Sequence, residues 1–259
     1  MQILKFGGSS VANPDRIRAC GRVLMHKRQT EGYRAMVVCS ALGGITDALG
    51  EAGRLAQNGD GDYRVVAREI RDRHIQCALD LLESDTYGAI EAELKERLSH
   101  LDDLLYGIYL LREASARTVD ELTGLGERLS VPILWGHCHD LGFQPQRLDA
   151  LELMCTDDDY GAARLDVHAS QDRFARAGFE DGDLFLMEGF IGSAPDGTPT
   201  TLGRGGSDLS AAFAACFLDA SVLEKWTDVA GMMTADPRVV PSASVIDELS
   251  YAEGMELCH

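Results

Sequence analysis

The sequence predicts an α/β protein built on a mainly parallel sheet covered by helices on both faces. Three observations carry this. Strand-like and helix-like segments alternate at both ends of the 259-residue chain, the pattern of βα units feeding a parallel sheet. Gly is plentiful at 27 residues while aromatics make up only 7%, which suits Gly-rich βα turns better than an all-β sandwich. Between the ends, residues 63–141 read as almost wholly helical, a helical insertion in the α/β pattern.

Residues 2–6 form a short buried strand that runs into Gly7-Gly8-Ser9-Ser10. Asn13-Pro14 starts a helix, an N-cap followed by Pro at the first helical position, and that helix runs to about residue 27. Residues 35–40, β-branched at Val37 and Val38, form a second buried strand, followed by a Gly-containing turn and a helix to about residue 57. In the insertion Leu79, Leu82, Ile90, Leu94, Leu98, Leu101 and Leu105 recur at spacings dominated by three and four. Breaks fall at Ser84-Asp85 and at 114–117, and Gly142 closes the last helix as its C′ residue. Strands follow at 144–148 and 153–156, a helix at 167–177, and one long apolar strand at 183–191. Pro195-Asp196-Gly197 turns between two strands. A second Gly-rich loop, 203–207, opens a nearly all-apolar helix at 208–218, expected to be buried. Residues 222–227 form a further strand, and Ser250 to Glu253 is a capping box opening a final helix.

Charge narrows the function classes. With 42 acids against 24 bases the net charge is −18, so nucleic acid is not the expected partner, and no basic amphipathic segment suggests a membrane surface. Such a field also repels small anions, so a site for them must be locally positive, built from placed Lys and Arg and from backbone N–H groups. Seven Cys, an odd number widely spaced, argue against a disulfide framework and for a reducing, cytoplasmic compartment. His137-Cys138-His139 is the only metal-like cluster, and it reads as ordinary helix surface, so no metal ligands are expected.

Three loops carry candidate chemistry. In Lys5-Phe6-Gly7-Gly8-Ser9 a strand-end Lys meets a Gly pair, which lets backbone approach a phosphate while the ammonium follows a moving charge. This is not a Walker A loop, and a Gly pair alone is equally what a plain tight turn requires. In Thr201-Leu202-Gly203-Arg204-Gly205-Gly206-Ser207-Asp208, Arg204 can clamp a carboxylate through two parallel hydrogen bonds; Asp208 alone could be a helix cap. In Trp226-Thr227-Asp228, a polar step ends an apolar strand, where ligands collect in open α/β sheets. Arg238 beyond it suits a nucleotide phosphate or an exposed surface turn.

Taken together, "KFGGSSVAN", "VVCSALGGITDAL", "GLGERLS", "MEGFIGSAPDGTPTTLGRGGSD", "WTDVAGMMTADPRVVP" and "LSYAEGMELCH", in this order, resemble the aspartate kinase family across essentially the whole chain. The insertion, with "YGIYLL" leading to "GERLS", is most similar to the kinase half of bifunctional aspartate kinase–homoserine dehydrogenases. The resemblance implies the amino-acid kinase fold, a three-layer αβα sandwich, with residues 1–200 as an aspartate-binding lobe including the insertion 63–141 and residues 201–259 as the start of a nucleotide-binding lobe. It implies ATP and Mg²⁺ as cofactors, L-aspartate as substrate, 4-phospho-L-aspartate as product on a route to lysine, threonine and methionine, and a homo-oligomer, a dimer. Carried over residue by residue, Lys5 stabilises the transferring phosphoryl group and Asp208 orients Lys5 and the reacting groups. Gly7, Gly8 and Ser9 line the phosphate loop. Ser40, Thr46, Glu127, Phe190, Arg204, Gly205 and Ser207 hold aspartate, with Glu127 on its ammonium. Thr227, Asp228, Met233 and Arg238 serve the nucleotide.

Three departures from the family pattern stand out. Met233 replaces a frequent Tyr beside the nucleotide, and Ser9 replaces the commoner Thr. The family continues into a segment reading roughly FGAKVLHP, with a second nucleotide Lys that Lys225 does not match, so the catalytic domain is expected to be C-terminally incomplete and the activity of this chain alone is open. The competing readings are a kinase of the same fold acting on acetylglutamate, glutamate, carbamate or UMP, and a non-catalytic regulatory or assembly module.

Overall fold

The computed structural model describes residues 1–30, 33–179 and 182–257; Cys258 of the seven cysteines lies outside them. The chain divides into two units, Met1–Trp226 and Thr227–His259.

In the first unit β1 (Gln2–Phe6) leads through a 3₁₀ turn at Gly8–Val11 into α1 (Pro14–Arg28). Asn13 caps α1 by accepting from the Arg16 N–H, with Pro14 following it. Next come β2 (Ala35–Cys39) and α2 (Ile45–Asn58), then the insertion helices α3 (Tyr63–Leu81), α4 (Ser84–Leu111) and α5 (Ala116–Asp140). The chain returns through β3 (Pro145–Leu148), α6 (Ala150–Leu153), α7 (Val167–Arg176), β4 (Leu184–Glu188), β5 (Ile191–Ser193), β6 (Pro199–Thr201), α8 (Gly206–Phe217) and β7 (Val222–Trp226).

The main sheet has the order β3-β4-β2-β1-β7, and every pair in it is parallel. Side chains alternate across a strand, and the core divides accordingly. Leu4, Phe6, Val37, Cys39, Leu184 and Leu186 pack with the apolar faces of α1 to α5. Ile3, Met36, Val38, Phe185 and Met187 pack on the other side with α6, α7 and α8. That is a three-layer sandwich, as the strand–helix alternation predicts. Burial on both faces explains why β1, β2 and β4 read as continuous apolar runs. In α4, Ile90, Leu94, Leu98, Leu101 and Leu105 are all buried, each contributing about 1.5–3 kcal/mol. Leu79 breaks the expected stripe: the buried set on α3 is Tyr63, Ala67, Ile70, His74, Cys77 and Ala78, and Leu79 falls off that face and is exposed.

Four further expectations are corrected. The long strand at 183–191 is two strands bent at Gly189-Phe190, with Phe190 at φ +71°; β5 leaves the main sheet to form an antiparallel hairpin with β6. The strand at 153–156 is replaced by the single turn α6, since Asp149 accepts the Leu151 N–H and Glu188 accepts the Ala150 N–H; only isolated bridges remain at Cys155 and Thr156. Helix α8 is apolar in composition but buried only along Gly206, Ser207, Ser210, Ala211 and Ala214, with Leu209 exposed. His137 and Cys138 are buried rather than surface residues.

The second unit holds an isolated bridge between Met233 and Val245 and helix α9 (Tyr251–Leu257). Its expected capping box is formed: the Glu253 carboxylate accepts from the N–H and hydroxyl of Ser250, and Ser250 Oγ accepts from the Glu253 N–H.

Candidate active site

The C-terminal ends of β1, β2 and β4, and the chain that follows β6, converge on one open cavity of about 570 Å³. Lys5, near the end of β1, shares the sheet face of Ile3 and lies under the first turn of α8. Its Nζ is 2.7 Å from Asp208 Oδ1. An acidic residue in a helix's first turn is favoured by the helix dipole, so Asp208 is held where the strand-end ammonium arrives. The second carboxylate oxygen of Asp208 accepts from Lys225 Nζ at 2.8 Å. Burial opposes the Asp208 charge, but hydrogen bonds from Lys225 and Lys5 outweigh it and hold the carboxyl below its ordinary range. Gly7 has no special φ, and a Cβ on it would stand in tight contact with the Lys5 ammonium, 3.2 Å from Nζ.

Glu127 enters from α5. It is 3% exposed, and its Oε2 has no hydrogen-bond partner. Desolvation pushes its carboxyl up to about 8, against backbone hydrogen bonds and the Lys5 charge, with Glu188 adding to the rise. The GLGERLS motif explains its placement. A Cβ on Gly124 would come within 2.9 Å of Ile191, and one on Gly126 within 2.8 Å of Ala41 Cβ, so two glycines let α5 press against β5 and the loop after β2. Ser130 fastens that contact, its hydroxyl donating to Ser40 O at 2.7 Å.

Arg204 is exposed and stands between two left-handed glycines, Gly203 at φ +71° and Gly205 at φ +75°. The loop interlocks with the β4–β5 bend. The Phe190 N–H donates to Ser210 Oγ and the Leu202 N–H to Phe190 O. A Cβ on Gly189 would lie 2.7 Å from Ser207 Cβ, and one on Gly206 2.7 Å from the Phe190 ring.

Lys5, Gly8, Ser40, Thr46, Glu127, Phe190, Arg204, Gly205, Ser207 and Asp208 all line this cavity. Ten of the expected residues, drawn from four separated stretches of sequence, therefore meet at one place.

A model of the amino acid kinase family matches residues 1–257. The chain belongs to that family. Among solved structures it is similar to Escherichia coli aspartokinase III in complex with aspartate and ADP, with a TM-score of 0.91 and 33% identity over 100% of this chain and 56% of that one. Among curated proteins it is 32% identical to the aspartokinase of Chlamydia trachomatis, covering 98% of this chain and 55% of the relative. It is also 32% identical to the chloroplastic bifunctional aspartokinase/homoserine dehydrogenase 2 of Arabidopsis thaliana, covering 98% of this chain and 28% of the relative. The chain thus spans about half the length of the aspartokinases it matches, and less of the bifunctional ones.

The remaining expected residues of this amino acid kinase are described by their own surroundings. Gly7 donates its N–H to Trp226 O, and Ser9 is in the 3₁₀ turn beside it. Thr227, Asp228, Met233 and Arg238 belong to the second unit. There the Thr227 hydroxyl donates to Asp228 Oδ1, Met233 bridges Val245, and the Arg238 guanidinium pairs with Asp236.

Sequence reasoning misses Lys225 and Asp120, and among the polar residues that line the cavity it assigns no role to Asp47 or Thr201. Asp120 is 1% exposed and accepts three hydrogen bonds: from Thr201 N at 2.8 Å, Thr201 Oγ1 at 2.8 Å and Gly161 N at 2.9 Å. It ties α5 to two cavity-lining segments. Its signal is only an acidic residue at the fifth position of α5, which alone does not separate a tether from a solvated face.

Proposed function

We propose that the protein transfers the γ-phosphoryl group of ATP to the side-chain carboxylate of L-aspartate, giving 4-phospho-L-aspartate and ADP. The observation that carries this reading is the buried carboxylate of Glu127, whose Oε2 has no hydrogen-bond partner, in the same cavity as Lys5 and Arg204. A carboxylate at that depth calls for a cation, and an α-ammonium supplies one. Arg204 suits the substrate's α-carboxylate through paired hydrogen bonds, with Ser40, Thr46, Phe190, Gly205 and Ser207 around it. The reacting carboxylate then points toward Lys5.

The chemistry asks little covalent help of the protein. A free side-chain carboxylate, with a pKa of about 3.9, is already ionised and needs no general base. One of its oxygens forms a bond to the γ-phosphorus as the bond from that phosphorus to the β,γ-bridging oxygen breaks, and ADP leaves with the electron pair. Catalysis is then positioning and charge neutralisation. Lys5 stabilises the transferring group while Asp208 fixes the ammonium. The resemblance assigns Gly7, Gly8 and Ser9 to the phosphates and Thr227, Asp228, Met233 and Arg238 to the nucleotide. Among the described residues no group of three or more His, Cys, Asp or Glu side chains is gathered to hold a metal; Mg²⁺, which the resemblance implies, would accompany the nucleotide phosphates and offset their charge.

The aspartokinase relatives support aspartate as acceptor, and the structure solved with aspartate and ADP supports a nucleotide. A homo-oligomer, a cytoplasmic location and a place in lysine, threonine and methionine synthesis follow the same resemblance; no helix among the described residues is long and apolar enough to cross a membrane. The test is ATP-dependent acyl phosphate formation, trapped with hydroxylamine, using L-aspartate, L-glutamate and N-acetylglutamate as acceptors. Product with aspartate supports the reading; product with acetylglutamate and none with aspartate overturns it.

A further inference from the structure

Neither the loop motifs nor the family resemblance assigns a task to Lys225, yet its ammonium is paired with Asp208, a residue that lines the cavity. It is the register partner of Lys5 across the parallel β1–β7 pair, so both side chains leave the sheet on the face that carries α8. The alternation is visible one residue earlier, where Glu224 points to the other face and pairs with Lys27 of α1 at 2.6 Å. Adjacent strands lie about 4.8 Å apart, which brings two ammonium groups together. Asp208 bridges them, one oxygen to each, at 2.7 Å and 2.8 Å.

The charge count gives this arrangement its meaning. Lys5 and Asp208 alone sum to zero, and a neutral pair does little for a triphosphate approaching a protein of net charge −18. With Lys225 the cluster carries two positive charges against one negative and is net positive. We propose that Lys225 is a positioning residue for phosphoryl transfer: by taking the second oxygen of Asp208 it leaves the cluster around Lys5 with one uncompensated positive charge facing the phosphates. The inference rests on the kinase reading for the word transfer, but its charge assignment stands on the geometry alone. A surface ion pair is the plainer alternative. The Lys225 side chain is 59% exposed, and a pair so exposed adds little to folding stability, so stability and anion handling separate the two.

The test compares the unmodified intact polypeptide with Lys225→Met and Lys225→Arg. Three quantities are measured: aspartate-dependent ATP turnover, tripolyphosphate affinity by titration calorimetry at low and high salt, and the thermal midpoint. Lys225→Met is expected to lower kcat roughly tenfold, less than the ~10²–10³-fold loss for a group that touches the reacting atoms, with the KM for aspartate and the midpoint unchanged. It is also expected to weaken tripolyphosphate roughly tenfold at low salt and less at high salt. Lys225→Arg, which keeps the charge, restores both to within roughly threefold. Lys225→Met indistinguishable from the unmodified protein in both turnover and tripolyphosphate binding overturns the inference, as does an unmodified protein that does not bind tripolyphosphate. Lysine-dependent tripolyphosphate binding without turnover on any acceptor defeats the kinase reading and upholds the charge assignment.

Discussion

Lys5 Nζ, near the end of the first strand, lies 2.7 Å from Asp208 Oδ1 in the first turn of α8, and the same carboxylate binds Lys225 through its other oxygen. Removing Lys5 therefore does not orphan Asp208, which keeps a partner. Lys5→Met is expected to retain the fold, with a circular dichroism melt close to that of the unmodified protein, while turnover falls by ~10²-fold or more. A near-normal rate in that variant would take Lys5 out of the mechanism.

Glu127 sets a pH dependence. Its carboxyl is raised to about 8 in the free protein, so below that pH it is mostly protonated and must lose a proton before it can pair with an ammonium. Aspartate binding should release protons at pH 7, seen as a buffer-dependent heat, and the KM for aspartate should rise as the pH falls below about 8. The stability sign is opposite. A folded pKa above the unfolded one means native stability is full at low pH and falls as pH rises through the range up to about 8. Glu127→Gln should therefore stabilise the ligand-free protein at pH 8 by roughly 1–3 kcal/mol, raise the KM for aspartate and flatten its pH profile.

Asp120 should behave as a tether. Its carboxylate accepts from Thr201 twice and from Gly161 once, at 1% exposure. Asp120→Ala leaves the two Thr201 donors buried without their partner and is expected to cost about 2–4 kcal/mol in urea unfolding. Asp120→Asn should cost less, and because Gly161 and Thr201 line the cavity it should raise the KM for aspartate more than it lowers kcat.

His74 makes the protein acid-sensitive. It is fully buried, its Nδ1 lies 2.7 Å from Ile70 O, and desolvation lowers its pKa to about 4. The unfolded chain takes up the proton first as the pH falls, so stability present above about 6.5 is lost on the way to 4. The His74 contribution is about 2 kcal/mol between pH 7 and pH 5. His74→Leu should remove that share from the pH slope of the urea midpoint, and an unchanged slope would contradict it.

How much of this was legible depended on distance along the chain. Asn13-Pro14, Ser250–Glu253 and the leucines of α4 were readable because cap and stripe are local signals confined to a few residues. Of the ten expected cavity residues, Lys5, Gly8, Arg204, Gly205, Ser207 and Asp208 lie in loops that the residues themselves single out, while Ser40, Thr46, Glu127 and Phe190 follow only from the family resemblance. The bend at Gly189-Phe190 is not legible, since a continuous apolar run conceals it; in the fold Ser207 packs where a Gly189 Cβ would lie and Phe190 takes φ +71°. Lys225 matches no motif, and its significance comes from its register with Lys5, a relation only the folded sheet supplies. Asp120 was missed for the same reason, its partners at Gly161 and Thr201 being remote in sequence.

The most direct test of the central claim, that a buried Glu127 and a strand-end Lys5 serve one amino dicarboxylate, is the hydroxamate yield with L-aspartate against N-acetyl-L-aspartate at equal concentration and pH 8. The account predicts ATP-dependent product with aspartate and a loss of at least roughly 10²-fold on acetylation, because the Glu127 carboxylate is then left buried without its cation. Equal yields from the two acceptors would contradict it.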